Sequence, residues 1–147
     1  MKLAILAVLI AVVASGSVSA QSISPEGEGL VVYDRGPAVY YSASYDNGGW
    51  DHIIASRMAW GEGDPDTFAY SPDGYYCVHP DFDFGNVITL QNARTGQVLR
   101  CTVADVVAPG DVANWRRHTT IELSYRAWHA LGLAGGNDVV MYVQPKE

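Results

Sequence analysis

Two β-prone segments joined by a short turn are the feature that most limits the fold of this chain. Residues 87–91 (VITLQ) and 97–104 (QVLRCTVA) are rich in β-branched and aliphatic side chains, and NARTG joins them. Asn and Gly in such a short connection favour a hairpin, because both tolerate the backbone angles that tight turns need. The sequence therefore predicts an antiparallel hairpin, the clearest one in the chain.

The other predicted elements are short, and most of them are strands. Residues 38–45 (AVYYSASY), 55–60 and 138–144 (DVVMYVQ) are predicted strands. Ser124 is predicted to cap a helix over 125–131. Several short strands with little helix, in a chain of 147 residues, are typical of one small β-barrel domain.

The N-terminal segment, residues 1–20, has the pattern of a secretory signal peptide. Lys2 precedes an apolar run, and small residues then lead to a cleavage point near Ala20. The apolar run is too short to span a bilayer, although an uncleaved membrane anchor is the alternative interpretation. Residues 21–37 are predicted to be a flexible leader and 38–147 the folded domain, in a secreted or periplasmic protein.

Export places the two cysteines in an oxidising compartment. The chain has only Cys77 and Cys101, and a disulfide between them is the expected state in a secreted protein; a reactive thiol pair is the alternative. Two cysteines cannot build a four-ligand zinc site, and His52, His118 and His129 show no metal-ligand spacing. We therefore expect neither a metal nor a cofactor.

The charge of the chain limits its partners. It carries 9 Lys+Arg against 16 Asp+Glu, a formal net charge of −7, which excludes a broad basic face for nucleic acid. Its 9 Tyr and 4 Trp suit a polysaccharide-binding groove as well as a core, because these rings combine a flat apolar face with a polar edge. We expect the protein to be a monomer that binds a polysaccharide. Once the signal peptide is removed, we expect it not to bind a membrane.

The middle of the chain carries a series of residues whose spacing matches that of one known family. The series is His79, Phe84, Gly85, Asn92, Gly96 and Asp105. Without a gap, it resembles the series of the rare lipoprotein A family, exported bacterial wall proteins of which some are peptidoglycan lytic transglycosylases. The resemblance extends over 40–143 and implies a mainly β fold, a six-stranded double-psi β-barrel with one or two short helices. Expansins, barwin-like proteins and some endoglucanases share this barrel.

The chain departs from the family near the predicted site. In the family, the Asp that matches Asp105 is usually followed by Arg-Gly-Pro. Here Asp105 is followed by Val106-Val107-Ala108-Pro109. The family's Asp at the start of the last helix is Glu122 here. The loops after Glu62 and Asp105 are longer than in the family.

The resemblance implies catalytic residues for cleaving a glycosidic bond. Asp105 is the predicted general acid, because it ends an apolar strand and such acids need a raised pKa. Glu122 and His79 are the other predicted catalytic residues. The predicted substrate-binding residues are Glu62, Tyr45, Trp60 and Trp115, and both tryptophans are expected to be exposed. The alternative is that Asp105 only starts a loop and Glu122 only starts a helix.

The expected function is that of an exported glycan-cleaving enzyme, a lytic transglycosylase or a glycosidase. A lytic transglycosylase can work with a single carboxylic acid, because the 6-hydroxyl of the sugar attacks internally. The first alternative is a non-catalytic, expansin-like module that binds and loosens the wall. The second is a secreted defence or interaction protein of the barwin type. The sequence leaves peptidoglycan and cellulose-type substrates open.

Overall fold

Six strands close into a barrel in the computed structural model, which describes residues 25–63, 68–135 and 137–145. The strands are β1 (Val31–Tyr40), β2 (Tyr76–Val78), β3 (Val87–Asn92), β4 (Val98–Asp105), β5 (Ile121–Leu123) and β6 (Asp138–Val143). The described helices are α1 (Gly49–Ala59), α2 (Val112–Trp115) and α3 (Tyr125–Ala130), with short 3₁₀ helices at Pro25–Glu28, Ala43–Asn47 and Leu133–Gly135. The predicted signal peptide lies outside the described residues.

The order of the strands around the barrel is β1-β5-β2-β4-β3-β6. Two neighbouring pairs, β1 with β5 and β2 with β4, are parallel, and the other four pairs are antiparallel. Closure leaves no free sheet edge, which suits short strands. The predicted fold class, a mainly β protein with a six-stranded barrel and short helices, is confirmed. The arrangement is consistent with a double-psi β-barrel.

The predicted hairpin is formed by β3 and β4. The two strands pair in register from Val87↔Thr102 to Gln91↔Val98. Asn92 organises the turn, because its amide donates to the carbonyls of Leu131 and Gly132, both at 3.0 Å. The hairpin is thus anchored to the end of α3 as well as to its sheet neighbours.

The interior of the barrel is filled by apolar side chains from all six strands and from α3. They include Ala38, Cys77, Ile88, Leu90, Val103, Ile121, Leu123, Ala127, Val139 and Met141. Cys77 and Cys101 form a disulfide with their Cα atoms 5.9 Å apart, which confirms the predicted pairing. Both cysteines are buried, so the cross-link joins β2 to β4 inside the core.

The barrel begins earlier along the chain than predicted. Residues 31–37, assigned to a flexible leader, belong to β1 and pair with β6 from Val31↔Val143 to Pro37↔Asp138. Gly36 and Pro37 are both uncommon inside strands. Gly36 allows close packing here, since a Cβ atom there would lie 2.3 Å from the hydroxyl of Thr120.

The predicted strand over 55–60 is wrong, because this segment belongs to α1. Trp50 and Ile54 are buried on one face of the helix, and Ile53 and Met58 pack beside them. This spacing is that of an amphipathic helix, which the neighbouring β-branched isoleucines obscured.

The last predicted helix is confirmed, although it follows a strand that was not predicted. Ser124 caps α3 by accepting a 3.2 Å hydrogen bond from the backbone of Ala127, and Gly132 follows the helix with φ 70°. Glu122 belongs to β5 rather than to the start of the helix. β2 and β5 have three residues each, too few to show an alternating pattern.

Candidate functional site

Two carboxylates flank the end of β2. Val78, its last residue, pairs with Asp105 of β4 on one side and with Glu122 of β5 on the other. Because neighbouring strands lie about 4.8 Å apart, the two carboxylate-bearing Cα atoms are separated by about 10 Å. The barrel topology therefore brings together two predicted catalytic residues that are far apart in sequence.

The carboxylate of Asp105 is held by an arginine. Arg57 of α1 donates from Nε to Oδ1 of Asp105 at 2.8 Å and also from Nη2 to the same oxygen. The backbone N–H of Val106 donates to Oδ1 at 2.9 Å, and the hydroxyl of Tyr41 lies 3.5 Å from Oδ2. Both partners of the ion pair have side chains that are only 18% exposed. Asp105 is thus an acceptor that faces donors on both of its oxygens.

The C-terminus of α1 brings Glu62 to the same arginine. Gly61 has φ 77°, and the N–H of Glu62 returns to the carbonyl of Arg57 at 3.1 Å, which is a Schellman end. The carboxylate of Glu62 then accepts from Nη1 of Arg57 at 3.2 and 3.3 Å. Arg57 therefore binds two carboxylates, and glycine at position 61 is needed for the turn that places the second one.

Replacing Arg57 with Met is expected to lower the free energy of unfolding by about 2 kcal/mol, because partly buried Asp105 would lose its charged donor. Urea denaturation measures this change. Arg100→Met is the control: Arg100 pairs with Glu28, and its side chain is 61% exposed, so its loss should cost about 0.5 kcal/mol. Equal effects of the two substitutions would show that the Arg57 pair adds no special stability.

Glu122 lies in a different environment from Asp105. Its side chain is half-buried, and burial raises the pKa of its carboxyl group, an effect that the charge of Asp105 increases. The indole N–H of Trp115 has no hydrogen-bond partner of ordinary geometry. This N–H and the hydroxyl of Tyr41 nevertheless lie near Glu122, and both lower the pKa of Glu122, which offsets part of the increase. The net direction is upward, so Glu122 holds a proton more readily than a free glutamic acid.

An open pocket leads to Glu122. It has a volume of about 230 Å³ and is lined by Glu122, Val39, Asp111, Asn114, Trp115 and His118, among others. We call it the Glu122 pocket. Its wall combines one aromatic side chain with several polar groups, which is typical of a site for a polar ligand.

Tyr41 connects the two carboxylates. Its hydroxyl group lies near both Asp105 and Glu122, and its pKa is raised by burial and by these two negative charges. The ring packs against Trp50 and Tyr45, with centroids 4.8 and 5.1 Å away. A protonated tyrosine held in this way can donate a hydrogen bond to either acid.

His79 lies in the core and is part of a separate cluster. Its side chain is 1% exposed, its Nδ1 accepts from the backbone of Asp81 at 3.1 Å, and burial lowers its pKa to about 4. The ring is edge-on to Trp115 at 5.3 Å. The described hydrogen bonds of His79 do not include Asp105, and its ring packs behind Trp115.

The predicted aromatic contacts differ in exposure. Trp60 is 69% exposed, as expected, and the guanidinium of Arg57 lies 5.2 Å from its ring centroid. Trp115 was expected to be exposed and is only 9% exposed, because it belongs to α2 and packs on His79. Tyr45, 38% exposed, reaches the site through its contact with Tyr41.

Sequence reasoning missed two residues of this site, Arg57 and Tyr41. The helical spacing of α1 was the available signal for Arg57, which follows buried Ile54 by three residues. Among the residues that the structure describes, no group of three His, Cys, Asp or Glu side chains is arranged to hold a metal ion.

No protein-family model matches the chain, and no curated protein matches it. Within the described ranges, no helix is long and apolar enough to cross a membrane.

Proposed function

We propose that this protein cleaves the glycan strands of a cell wall, with Glu122 as the general acid and Asp105 as its anionic partner. The observation that carries the proposal is the difference between these two neighbouring carboxylates. Glu122 is half-buried with a raised pKa, and Asp105 is held by the guanidinium of Arg57. Two carboxyl groups in unlike surroundings suit acid-assisted cleavage of a glycosidic bond, since one can give a proton while the other remains an anion.

This assignment exchanges the roles expected from the sequence. The sequence favoured Asp105 as the acid, because an apolar strand precedes it. An aspartate that accepts from a guanidinium and from a backbone N–H is arranged as an acceptor rather than as a proton donor. Glu122 borders an open pocket, so a proton on its carboxyl group can reach a ligand.

The proposed reaction is a lytic transglycosylation. Glu122 protonates the glycosidic oxygen, the bond from that oxygen to C1 breaks, and the leaving sugar departs as an alcohol. Positive charge then develops at C1 and is stabilised by the carboxylate of Asp105. The 6-hydroxyl of the same sugar returns a proton to Glu122 and bonds to C1, which gives a 1,6-anhydro sugar without consuming water. A water molecule in place of the 6-hydroxyl would make the protein a glycosidase.

The proposal includes membership in, or close relation to, the rare lipoprotein A family. The closed six-stranded barrel supports it, as do Asp105 and Glu122 on either side of Val78. The proposal also includes export to the periplasm or the medium after cleavage near Ala20. The Cys77–Cys101 disulfide supports export.

A second candidate function is a non-catalytic, expansin-like module. Trp60 favours it, because a side chain that is 69% exposed beside Arg57 offers a flat surface for a sugar ring. Such a module would bind the polysaccharide through this surface and break no covalent bond.

Mass spectrometry of soluble products tests the proposal. The purified protein would be incubated with peptidoglycan sacculi and, in parallel, with cellulose. We expect 1,6-anhydro-muropeptides from the sacculi. Products with reducing ends would show a glycosidase instead. Binding to either polymer without any soluble product would overturn the proposal in favour of the expansin-like module.

A further inference from the structure

A second pocket lies on the barrel wall where β6 begins. It has a volume of about 290 Å³ and is lined by Arg35, Asn92, Ala93, Arg94, Asn137 and Asp138. We call it the arginine pocket. It shares no lining residue with the Glu122 pocket, so it is a separate feature of the surface.

The charge of the arginine pocket contrasts with that of the whole chain. The chain has a formal net charge of −7, and Arg57, Arg100, Arg116 and Arg126 are each paired with a carboxylate. Within the described part of the chain, Arg35, Arg94 and Arg117 form no ion pair. Arg117 donates a hydrogen bond to Asn114, and Arg35 and Arg94 both border this pocket. Asp138 is the one carboxylate among its lining residues, so the lining carries an excess of positive charge.

The backbones of both arginines belong to well-ordered parts of the fold. Arg35 lies in β1 and is paired in register with Val140 of β6. Arg94 lies in the hairpin turn, where its backbone N–H donates to the side chain of Asn92 at 2.9 Å. Asn92 is itself 2% exposed and bound to the end of α3. An anion in the pocket would therefore meet donors whose backbone positions are already fixed, which lowers the entropy cost of binding.

The arginine pocket is aligned with the proposed catalytic site. Val39 lines the Glu122 pocket, and Arg35 precedes it by four residues in β1. Residues four apart in a strand lie on the same face, and their Cα atoms are about 13 Å apart. A polysaccharide strand that fills the Glu122 pocket and runs along the outer face of β1 would reach the two arginines within a few sugar units.

We propose that the arginine pocket is a subsite for a carboxylate group carried by the wall polysaccharide. Two guanidinium groups around one pocket suit an oxyanion, because each can donate two parallel hydrogen bonds to it. The inference rests on the proposed function for the nature of the polymer. It adds that the preferred substrate is an anionic glycan, such as peptidoglycan with its lactyl and peptide carboxylates, rather than a neutral one such as cellulose.

Binding to insoluble sacculi tests the subsite independently of cleavage. The purified protein and an Arg35→Gln/Arg94→Gln variant would be compared by co-sedimentation with sacculi freed of wall phosphate polymers. We expect the variant to bind about tenfold more weakly, which corresponds to the loss of charge-assisted hydrogen bonds. An Arg100→Gln/Arg126→Gln variant is the matched control, since it removes the same charge from exposed ion pairs.

Chemical modification of the polymer identifies the group that is bound. Amidation of the sacculus carboxylates should weaken binding of the unmodified protein to the level of the Arg35→Gln/Arg94→Gln variant, and cellulose should bind both proteins equally. Equal binding of this variant and the control to native sacculi would overturn the subsite. So would an effect that appears only on sacculi that retain phosphate polymers. If either result is found while the protein still cleaves sacculi, the subsite fails and the proposed function stands.

Discussion

Replacing Glu122 with Gln is expected to lower the rate of glycan cleavage by about 10³-fold, the usual contribution of a general acid. Gln keeps the size of the side chain and an oxygen that can accept from Trp115 and Tyr41, but it has no proton to give to the glycosidic oxygen. The rate of release of soluble muropeptides from sacculi measures the effect. Glu28→Gln is the matched control, because it removes an exposed carboxylate that pairs with Arg100 and should leave the rate unchanged.

The pH dependence of the same reaction should identify Glu122 as the acid. The rate depends on protonated Glu122, so it should fall as the pH rises through the pKa of this residue, which burial raises. A rate that does not change over this range, or a Glu122→Gln variant with full activity, would contradict the assignment and return the acid role to Asp105. Asp105→Asn is the variant that would then decide the question.

The Glu122→Gln substitution should lower activity without lowering stability. Because the pKa of Glu122 is raised in the folded state, its contribution to stability is present at low pH and is lost as the pH rises through the folded pKa. Gln cannot ionise, so the Glu122→Gln variant should be at least as stable as the unmodified protein at neutral pH. Thermal unfolding of both proteins at two pH values shows whether the variant has lost activity because it lacks the proton donor or because it is less stably folded.

Local signals in the sequence were sufficient for the parts of the fold in which neighbouring residues decide the structure. The β3–β4 hairpin and the capping of α3 by Ser124 are of this kind. Local signals were insufficient for the segments whose structure depends on residues far away in the sequence. The Gly36-Pro37 pair becomes part of a strand only because Thr120 packs against it, and β2 is a strand only because β4 and β5 enclose it.

The candidate site shows the same division. Asp105 and Glu122 were identified through the resemblance to the rare lipoprotein A family, and the structure places both beside Val78. Their surroundings were not predictable, because Arg57 reaches Asp105 from α1, 48 residues earlier in the sequence. The burial of Trp115 also depends on a distant residue, His79. The sequence therefore predicted which carboxylates are present but not which side chains surround each of them.

Loss of the Cys77–Cys101 disulfide is expected to lower the free energy of unfolding by about 3 kcal/mol, the value for a closed loop of this size in the chain-entropy model. The sequence separation of the two cysteines is 24. Since β2 has three residues and lies between β4 and β5, the cross-link is a main restraint on its position. The same strand carries Val78 between Asp105 and Glu122, so loosening it should also misplace the two carboxylates.

Comparison of the oxidised and reduced protein in urea measures this effect without substituting any residue of the core. Reduction would be carried out in denaturant, because both cysteines are buried, and the protein refolded with reductant present. We expect a lower transition midpoint for the reduced protein and, at a temperature where it remains folded, a lower rate of muropeptide release. The Cys77→Ala/Cys101→Ala variant should be less stable than the reduced protein, because it also leaves small cavities. Equal midpoints for the two redox states would mean that the pairing of β2 with β4 and β5 is sufficient to hold the site.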